Sequence, residues 1–449
     1  MNEPSAASMT QVATLKATDR NKAAATRRKL LGDAAIYTLA NVANSAIPFL
    51  LLPLLTRVLS PTEYGIVTIF ATLVAAFGAF SGLSVHGAVN VRFFDAATNH
   101  ARYVGTAFAI LAGSTFAVLV AVMAVAPWMY GWTELSRLWL LLAVLASAAQ
   151  FVIQIRLVLW QVRGQAARYG TFQVLQTTLN LSLSLLLILI AGWGWEGRTA
   201  GVLSAMFVFA ALSLFTLQKA SQVEWRFDPV YAKDALRFGL PLIPHVVGSL
   251  FIATSDRLMV AMLLSVHDAG IYAAGMQIGL VIAVLADAVV KAISPWLFSS
   301  LAQGDQTTNQ SIVRVTYLFF IGVAIVSAVF GAAAPYLLLL VGEQFRSSQE
   351  IVAYVALGGA FGGMYLMVVN YIFLAKRNEF LSAASISVGV INLIASFFLV
   401  KGYGAVGAAK AFAGSQLLMF LVTWLIAAKC YPMPWLGALR TTGRQPTYP

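Results

Sequence analysis

The groups in this chain that could do chemistry are charges set inside long apolar runs. Asp256 and Arg257 precede the run Leu258-Met259-Val260-Ala261-Met262-Leu263-Leu264, and Lys410 stands among Gly407, Ala408, Ala409 and Ala411. Arg156 interrupts an aliphatic stretch with Gln154 and Arg163 close by, and Asp287 and Lys291 lie four residues apart, a spacing that shares one helix face. A charge in hydrocarbon is costly unless it faces a water-filled cavity or a partner. Arg257 therefore either contacts an anion, gates the outer side with Asp256, or snorkels to the outer head groups. Lys291 either bridges Asp287 or meets lipid phosphate. Arg156 and Lys410 divide in the same way between cavity and snorkel. His245, between Pro244 and Val246, either carries a proton near neutrality or is simply packed.

These charges are carried on spanning elements. Of 449 residues 60% are hydrophobic and 10% charged, with mean hydropathy +0.81, against about 25% charged in a soluble chain. Twelve apolar stretches run at about 31–57, 64–89, 103–127, 137–159, 169–191, 199–218, 238–263, 269–290, 314–341, 351–374, 380–400 and 405–428. They lack the alternation of barrel strands, so the chain is expected to be an all-α polytopic membrane protein. Twelve spans of roughly 20 residues leave no room for a sizeable soluble catalytic domain. Residues 1–29, rich in Ala and Thr and ending in Arg27-Arg28-Lys29, are expected as a disordered cytoplasmic tail, and 431–449 as a second. The apolar stretch from Leu30 to about Leu59 is longer than a signal-peptide core.

With the N-terminal tail inside, only Arg57, Arg137, Arg198, Arg257, Arg346 and Lys401 fall on the outer face, and Lys410 lies within the last span. The other 22 of the 29 Lys and Arg then fall on the cytoplasmic face, the positive-inside pattern. Both termini are expected in the cytoplasm. The net charge of +12 reads as topology rather than as a nucleic-acid footprint. Trp128, Trp132, Trp193, Trp195, Trp225, Trp296 and Trp435 lie near span ends, where amphipathic rings anchor at the head groups. Cys430 is the single cysteine and has no metal-binding company. No G-x-x-x-x-G-K-[ST] loop is present, which argues against ATP hydrolysis, and no cofactor is expected.

The chain also repeats itself. Leu59-Ser60-Pro61-Thr62-Glu63-Tyr64-Gly65-Ile66 and Leu264-Ser265-Val266-His267-Asp268-Ala269-Gly270-Ile271 share L-S-x-x-acid-x-G-I. Tyr169, Asn180, Gly194 and Gly197 return as Phe380, Asn392, Gly404 and Gly407. Two lobes of six helices follow, 30–218 and 238–430, joined by a polar cytoplasmic connector at 219–237. An even helix count keeps both lobes in one orientation, so the repeats are parallel about an axis normal to the membrane. Such lobes enclose a cavity and alternate access by rocking. Pro48 and Pro53 in span one match Pro241 and Pro244 in span seven, and helix-interior prolines bend a helix. These are the expected hinges.

The stretch from Pro48 through Thr56-Arg57-Val58-Leu59-Ser60-Pro61 to Gly65, with its counterpart from Ser255-Asp256-Arg257 to Gly270-Ile271-Tyr272, resembles the Wzx-type oligosaccharide flippases of bacterial surface-polysaccharide export. These belong with the multidrug-extruding MATE transporters and the peptidoglycan lipid flippase. The resemblance covers nearly all of residues 30 to 430 in span count and lobe arrangement. It implies a MATE-like fold in the bacterial inner membrane and movement of an undecaprenyl-pyrophosphate-linked oligosaccharide to the outer leaflet. It also implies membrane lipids as surroundings, and a polysaccharide polymerase and export proteins as partners, without nucleic acid. Because spans one, two, seven and eight form the central portal in this superfamily, Arg57, Arg92, Arg257 and Lys291 are the first cationic candidates, followed by Arg156 and Lys410. Asp256, Asp287, His245 and Asp33 are candidates for gating or coupling. A multidrug or cation antiporter of the same fold is the nearest rival and would need a carboxylate-centred cavity. A membrane polymerase or glycosyltransferase would need a long polar outer loop, which the spacing of the spans does not leave.

Overall fold

The computed structural model describes residues 49–435 apart from Ala96, 304–305 and 375–377. Asp33, Pro48 and both tails lie outside the described residues, and so does the side chain of His245. Among the described residues all regular structure is helical. Ten helices are long and apolar enough to cross a membrane. An eleventh, Ile243–Leu263, has 21 residues, about 31 Å at 1.5 Å per residue, which matches a hydrocarbon core of about 30 Å. The first span is described from Phe49 onward, as an apolar helix Phe49–Val58. This agrees with twelve passes.

In chain order the elements are α1 (Phe49–Val58), α2 (Pro61–Phe80), α3 (Val85–Arg92), α4 (His100–Thr133), α5 (Arg137–Val162), α6 (Ala166–Leu189), α7 (Gly194–Lys219) and α8 (Pro229–Gly239). They continue with α9 (Ile243–Leu263), α10 (Val266–Gly279), α11 (Val281–Gln303), α12 (Gln306–Ala332), α13 (Ala334–Leu337), α14 (Gln349–Leu374), α15 (Asn378–Tyr403) and α16 (Ala405–Cys430). The ninth span ends at Ala332 rather than 341. Leu338–Leu340 and Glu343–Ser348 instead form short turns that lead into α14.

The repeated motif is a helix start used twice. Ser60 Oγ accepts from Glu63 N at 3.3 Å while Ser60 N donates to the Glu63 carboxylate at 2.8 Å, a capping box reinforced by Pro61 in the first turn. In the second lobe Ser265 Oγ accepts from Asp268 N at 3.1 Å and donates to its carboxylate at 2.5 Å. Span two is broken between α2 and α3, where Gly82, Leu83 and Ser84 are all left-handed, at φ +75°, +50° and +57°. Each of the two non-glycine residues costs roughly 1–2 kcal/mol there. The break is held by Ser81 Oγ against Ser147 Oγ at 2.8 Å and by Gly82 N donating to Ser114 Oγ at 2.8 Å. Span eight passes from α10 to α11 at Leu280 without leaving helical backbone angles.

The connector is structured. Glu224 N donates to Ala101 O at 2.9 Å, and α8 is capped by Asp228 and begins with Pro229. Asp234 on α8 takes two hydrogen bonds from Arg92, at 2.6 and 2.9 Å, and one from Tyr103 at 2.9 Å. Span seven thus begins at Ile243, after the 3-10 turn Leu240–Leu242. Pro241 and Pro244 sit in the first turns of these two elements, where a missing N–H costs nothing. They mark a joint rather than a bend within a helix. Pro53 stands inside α1.

Two hydrophobic cores belong to one lobe each, around Val104, Ile153 and Leu217 in the first and around Ile282, Met367 and Tyr371 in the second. Two others are shared, joining Ile66, Ile69 and Phe70 to Val260, Ala269 and Tyr272, and Leu52 and Tyr64 to Ala274 and Phe345. All shared residues lie toward the end that the charge distribution assigns to the outside, hereafter the outer end.

Candidate functional site

At the outer end α2 and α10 meet backbone to backbone. A Cβ on Gly65 would lie 2.1 Å from Val266 O, and one on Gly270 would lie 1.8 Å from Pro61 O. The glycine of the repeated motif is therefore the contact itself, used once from each lobe. Tyr64 donates to Gln277 at 2.8 Å, and Thr62 Oγ1 lies 3.5 Å from His267 Nδ1. Gly342 N donates to Thr56 Oγ1 at 3.2 Å, again from lobe to lobe. Toward the inner end α3 and α11 show no comparable packing among the described residues. The described contacts between the lobes thus lie at the outer end.

Asp256, which is buried, lies in the second lobe among α9, α10 and α15. It accepts from Ser396 at 2.9 Å and from Asn392 and Tyr272 at 3.4 Å each, and Asn392 accepts in turn from Ser415 at 2.6 Å. Arg257, half-buried beside it, has an enclosed Nε without a partner. Lys410 sits on two aromatic faces, 3.9 Å from the Tyr403 ring centre and 5.5 Å from that of Tyr354. Such cation–π contacts hold a charge without neutralising it.

The remaining candidates are dispersed. Arg156 is buried, donates to Gln222 at 2.7 Å and stacks 4.1 Å above Trp160. Lys291 donates to Asp287 at 2.6 Å in an exposed pair. Arg92 is bound to Asp234, and that hydrogen bond holds the Asp234 carboxyl below the usual carboxylate range. Arg57 is exposed at the end of α1. Asp256 and Arg257 are neighbours in the chain without an ion pair between them, Lys291 pairs with Asp287 and Arg92 with Asp234, and the other named cations lie apart.

A cavity of about 300 Å³ opens within the first lobe between α1, α5, α6 and α7. Gln150, Gln154, Gln173, Gln176 and Asn180 line it, together with Arg198. The charge count puts Arg198 on the outer face, but its side chain turns inward. Arg198 Nη1 donates to Asn180 at 2.7 Å and to Ser184 at 2.6 Å. Close helix packing allows this, since a Cβ on Gly201 would lie 2.6 Å from Ser184 N. Asn180 and Ser184 on α6 match Asn392 and Ser396 on α15 at one common offset. The same Asn-x-x-x-Ser scaffold thus serves a cation in one lobe and a carboxylate in the other. The repeat of that motif is a sequence signal for a buried charge at this place but does not name the helix that supplies it: α7 gives Arg198 in the first lobe and α9 gives Asp256 in the second.

Comparisons with known proteins agree with this architecture. Residues 30–301 match the family model described as polysaccharide biosynthesis protein. An uncharacterised membrane protein of Haemophilus influenzae is 27% identical over 369 residues, covering 81% of this chain and 89% of its own. Protein 1 of the Lsg locus of the same organism is 25% identical over 366 residues, covering 80% and 88%. The fold is similar to lipid II flippase MurJ in an inward closed conformation, with TM-score 0.69, 13% identity and 88% and 87% of the two chains covered. It is also similar to an inward-facing multidrug resistance MATE family transporter of the MOP superfamily, with TM-score 0.61, 15% identity and 87% and 94% covered. With two lobes closed at one end, charges buried between spans and a family match over most of its length, this multi-pass membrane chain belongs to the polysaccharide biosynthesis protein family and has the MurJ- and MATE-like fold.

Proposed function

We propose that the protein is a flippase. It moves an undecaprenyl-pyrophosphate-linked oligosaccharide from the cytoplasmic to the outer leaflet of the inner membrane, by alternating access between its two lobes. One observation carries the reading: the imbalance of charge inside the spans. Arg156, Arg198, Arg257 and Lys410 have no carboxylate at ion-pair distance among the described residues, and Asp256 is the one buried carboxylate there. Uncompensated cations in a membrane favour an anionic cargo, as a diphosphate head is. A cation antiporter would need the reverse balance.

In this reading Arg257, Arg57, Arg156 and Lys410 meet the diphosphate or sugar head along the path, and Arg92 and Lys291 mark its inner mouth. Asp256 is the coupling or gating group, its hydroxyl and amide partners suited to either a proton or a small cation. Asp287, His245 and Asp33 are kept as further coupling candidates, and Pro48, Pro53, Pro241 and Pro244 as hinge positions. A polysaccharide polymerase would take the product on the far side.

The test is transfer in proteoliposomes, with a short undecaprenyl-pyrophosphate oligosaccharide and an impermeant sugar-modifying probe. Protein-dependent transfer, reduced by Arg257→Ala, is the expected result. Absence of transfer under every ion gradient, with proton- or sodium-driven export of cationic dyes instead, overturns the reading in favour of the antiporter.

A further inference from the structure

The first-lobe cavity holds a chemistry that a lipid-phosphate path does not require. Five carboxamides, Gln150, Gln154, Gln173, Gln176 and Asn180, converge there from α5 and α6 around Arg198. In a membrane span each such amide is expensive unless its hydrogen bonds are made. Two of the enclosed polar atoms are unmet: Gln173 Oε1 and Arg198 Nε have no partner. Buried polar groups are normally paired, so the chamber offers an unmet acceptor and an unmet donor to whatever enters it, water or ligand.

The volume and the donor set limit what that is. About 300 Å³ is at the small end of small-molecule sites, enough for one ring rather than a chain. Carboxamides carry a donor and an acceptor side by side and so match neighbouring hydroxyls, which also donate and accept. Arg198 adds one cation, with no carboxylate at ion-pair distance among the described residues. Asn180 and Ser184 occupy only its Nη1, and the guanidinium fork suits a carboxylate.

We infer that the Arg198 chamber is a binding subsite for a single acidic sugar ring, whose hydroxyls the α5 and α6 carboxamides read and whose carboxylate Arg198 holds. The inference rests on the reading that the cargo is a glycan, and it narrows that cargo to one carrying an acidic residue. The chamber lies inside the first lobe and not at the seam between lobes. It therefore selects the glycan rather than gripping the diphosphate.

Binding is tested without transport. In full-length protein carrying Cys430→Ser and Met206→Cys, the cysteine lines the chamber, and its modification by a small methanethiosulfonate reports occupancy. Methyl glucuronide, methyl glucoside and inorganic pyrophosphate are compared as protectants. The expected result is saturable protection by the glucuronide, weaker protection by the glucoside and none by pyrophosphate. Arg198→Gln should then raise the half-protecting glucuronide concentration roughly tenfold or more, as loss of a charge-assisted hydrogen bond does. Gln173→Leu, which keeps Arg198 in place, should weaken both sugars alike and serves where Arg198→Gln does not fold. Protection by pyrophosphate at the same concentrations as the glucuronide overturns the sugar assignment in favour of the carrier's head group. Absence of protection by all three, or equal protection in Arg198→Gln, overturns the subsite altogether. Loss of flipping with protection retained would count against the flippase and not the chamber.

Discussion

The glycine contact between the lobes gives the sharpest expectation. In Gly65→Ala the new methyl would start 2.1 Å from Val266 O, whereas ordinary contact begins at 3.4 Å, so α2 and α10 must part by more than 1 Å. In Gly270→Ala the clash is with Pro61 O at 1.8 Å, and backbone cannot rotate aside as a side chain does. Overpacking of this kind costs about 1–3 kcal/mol, which lowers the population closed at the outer end by roughly 5- to 150-fold relative to the alternative. Helix propensity acts the other way, since alanine is favoured over glycine by about 1 kcal/mol in a helix interior. Gly78→Ala on the same helix, with nothing within 4 Å of its Cβ, isolates that second effect. The assay places Thr62→Cys and His267→Cys in a Cys430→Ser background and follows bridging by a short thiol-reactive linker. Bridging should fall steeply in Gly65→Ala and Gly270→Ala and hold in Gly78→Ala. Equal bridging in all three would refute the seam as the element that closes the outer end.

Further expectations concern the buried carboxylate and the connector. Asp256→Leu should lower the thermal midpoint, because Ser396, Asn392 and Tyr272 lose an acceptor at roughly 1–3 kcal/mol for each group left unpaired. Asp256→Asn should keep the fold and abolish any dependence of transport on a proton or cation gradient; an unchanged gradient response refutes coupling through this residue. Gly105→Ala would place a methyl 1.8 Å from Glu224 O and should free the connector to protease cleavage at 220–228 at a cost of about 1–3 kcal/mol. The Asp234 carboxyl is held below its unfolded value by Arg92. Its contribution to docking α8 is therefore present above about pH 4, the unfolded carboxylate range, and is lost as pH falls through the lower folded value. Protease sensitivity of the connector should be flat from pH 5 to 8 and rise only in stronger acid, and Asp234→Asn should raise it across pH 5 to 8 and converge with the unaltered protein in stronger acid.

Much of the fold could be read from hydropathy, because a spanning helix writes its length and its charge asymmetry into the chain. The motif L-S-x-x-acid-x-G-I could also be read as a repeat, but its meaning could not. Ser60 with Glu63 and Ser265 with Asp268 are local caps, whereas Gly65 and Gly270 matter only because another helix crosses them. The inward turn of the Arg198 side chain is not legible in the sequence for a related reason. Residue counting fixes how deep a position lies but not which way it points, and a long side chain four residues from a span end reaches either the head groups or the interior. The connector read as polar because Asp234, Arg237 and Lys233 dominate its composition, yet Ala232, Ala235 and Gly239 supply a buried face.

The fixing of α8 onto α3 and α4 has a mechanical corollary. Chain that is pinned to the first lobe as far as Gly239 leaves three residues, Leu240–Leu242, as the whole covalent link to the second. Fully extended they span about 10 Å. On that flank the inner rims of the lobes are bound like the spine of a book, and any wider aperture has to open on the opposite flank. If the cargo is the lipid-linked glycan proposed above, its tail, staying in the bilayer while the head enters, would then have one side from which to approach.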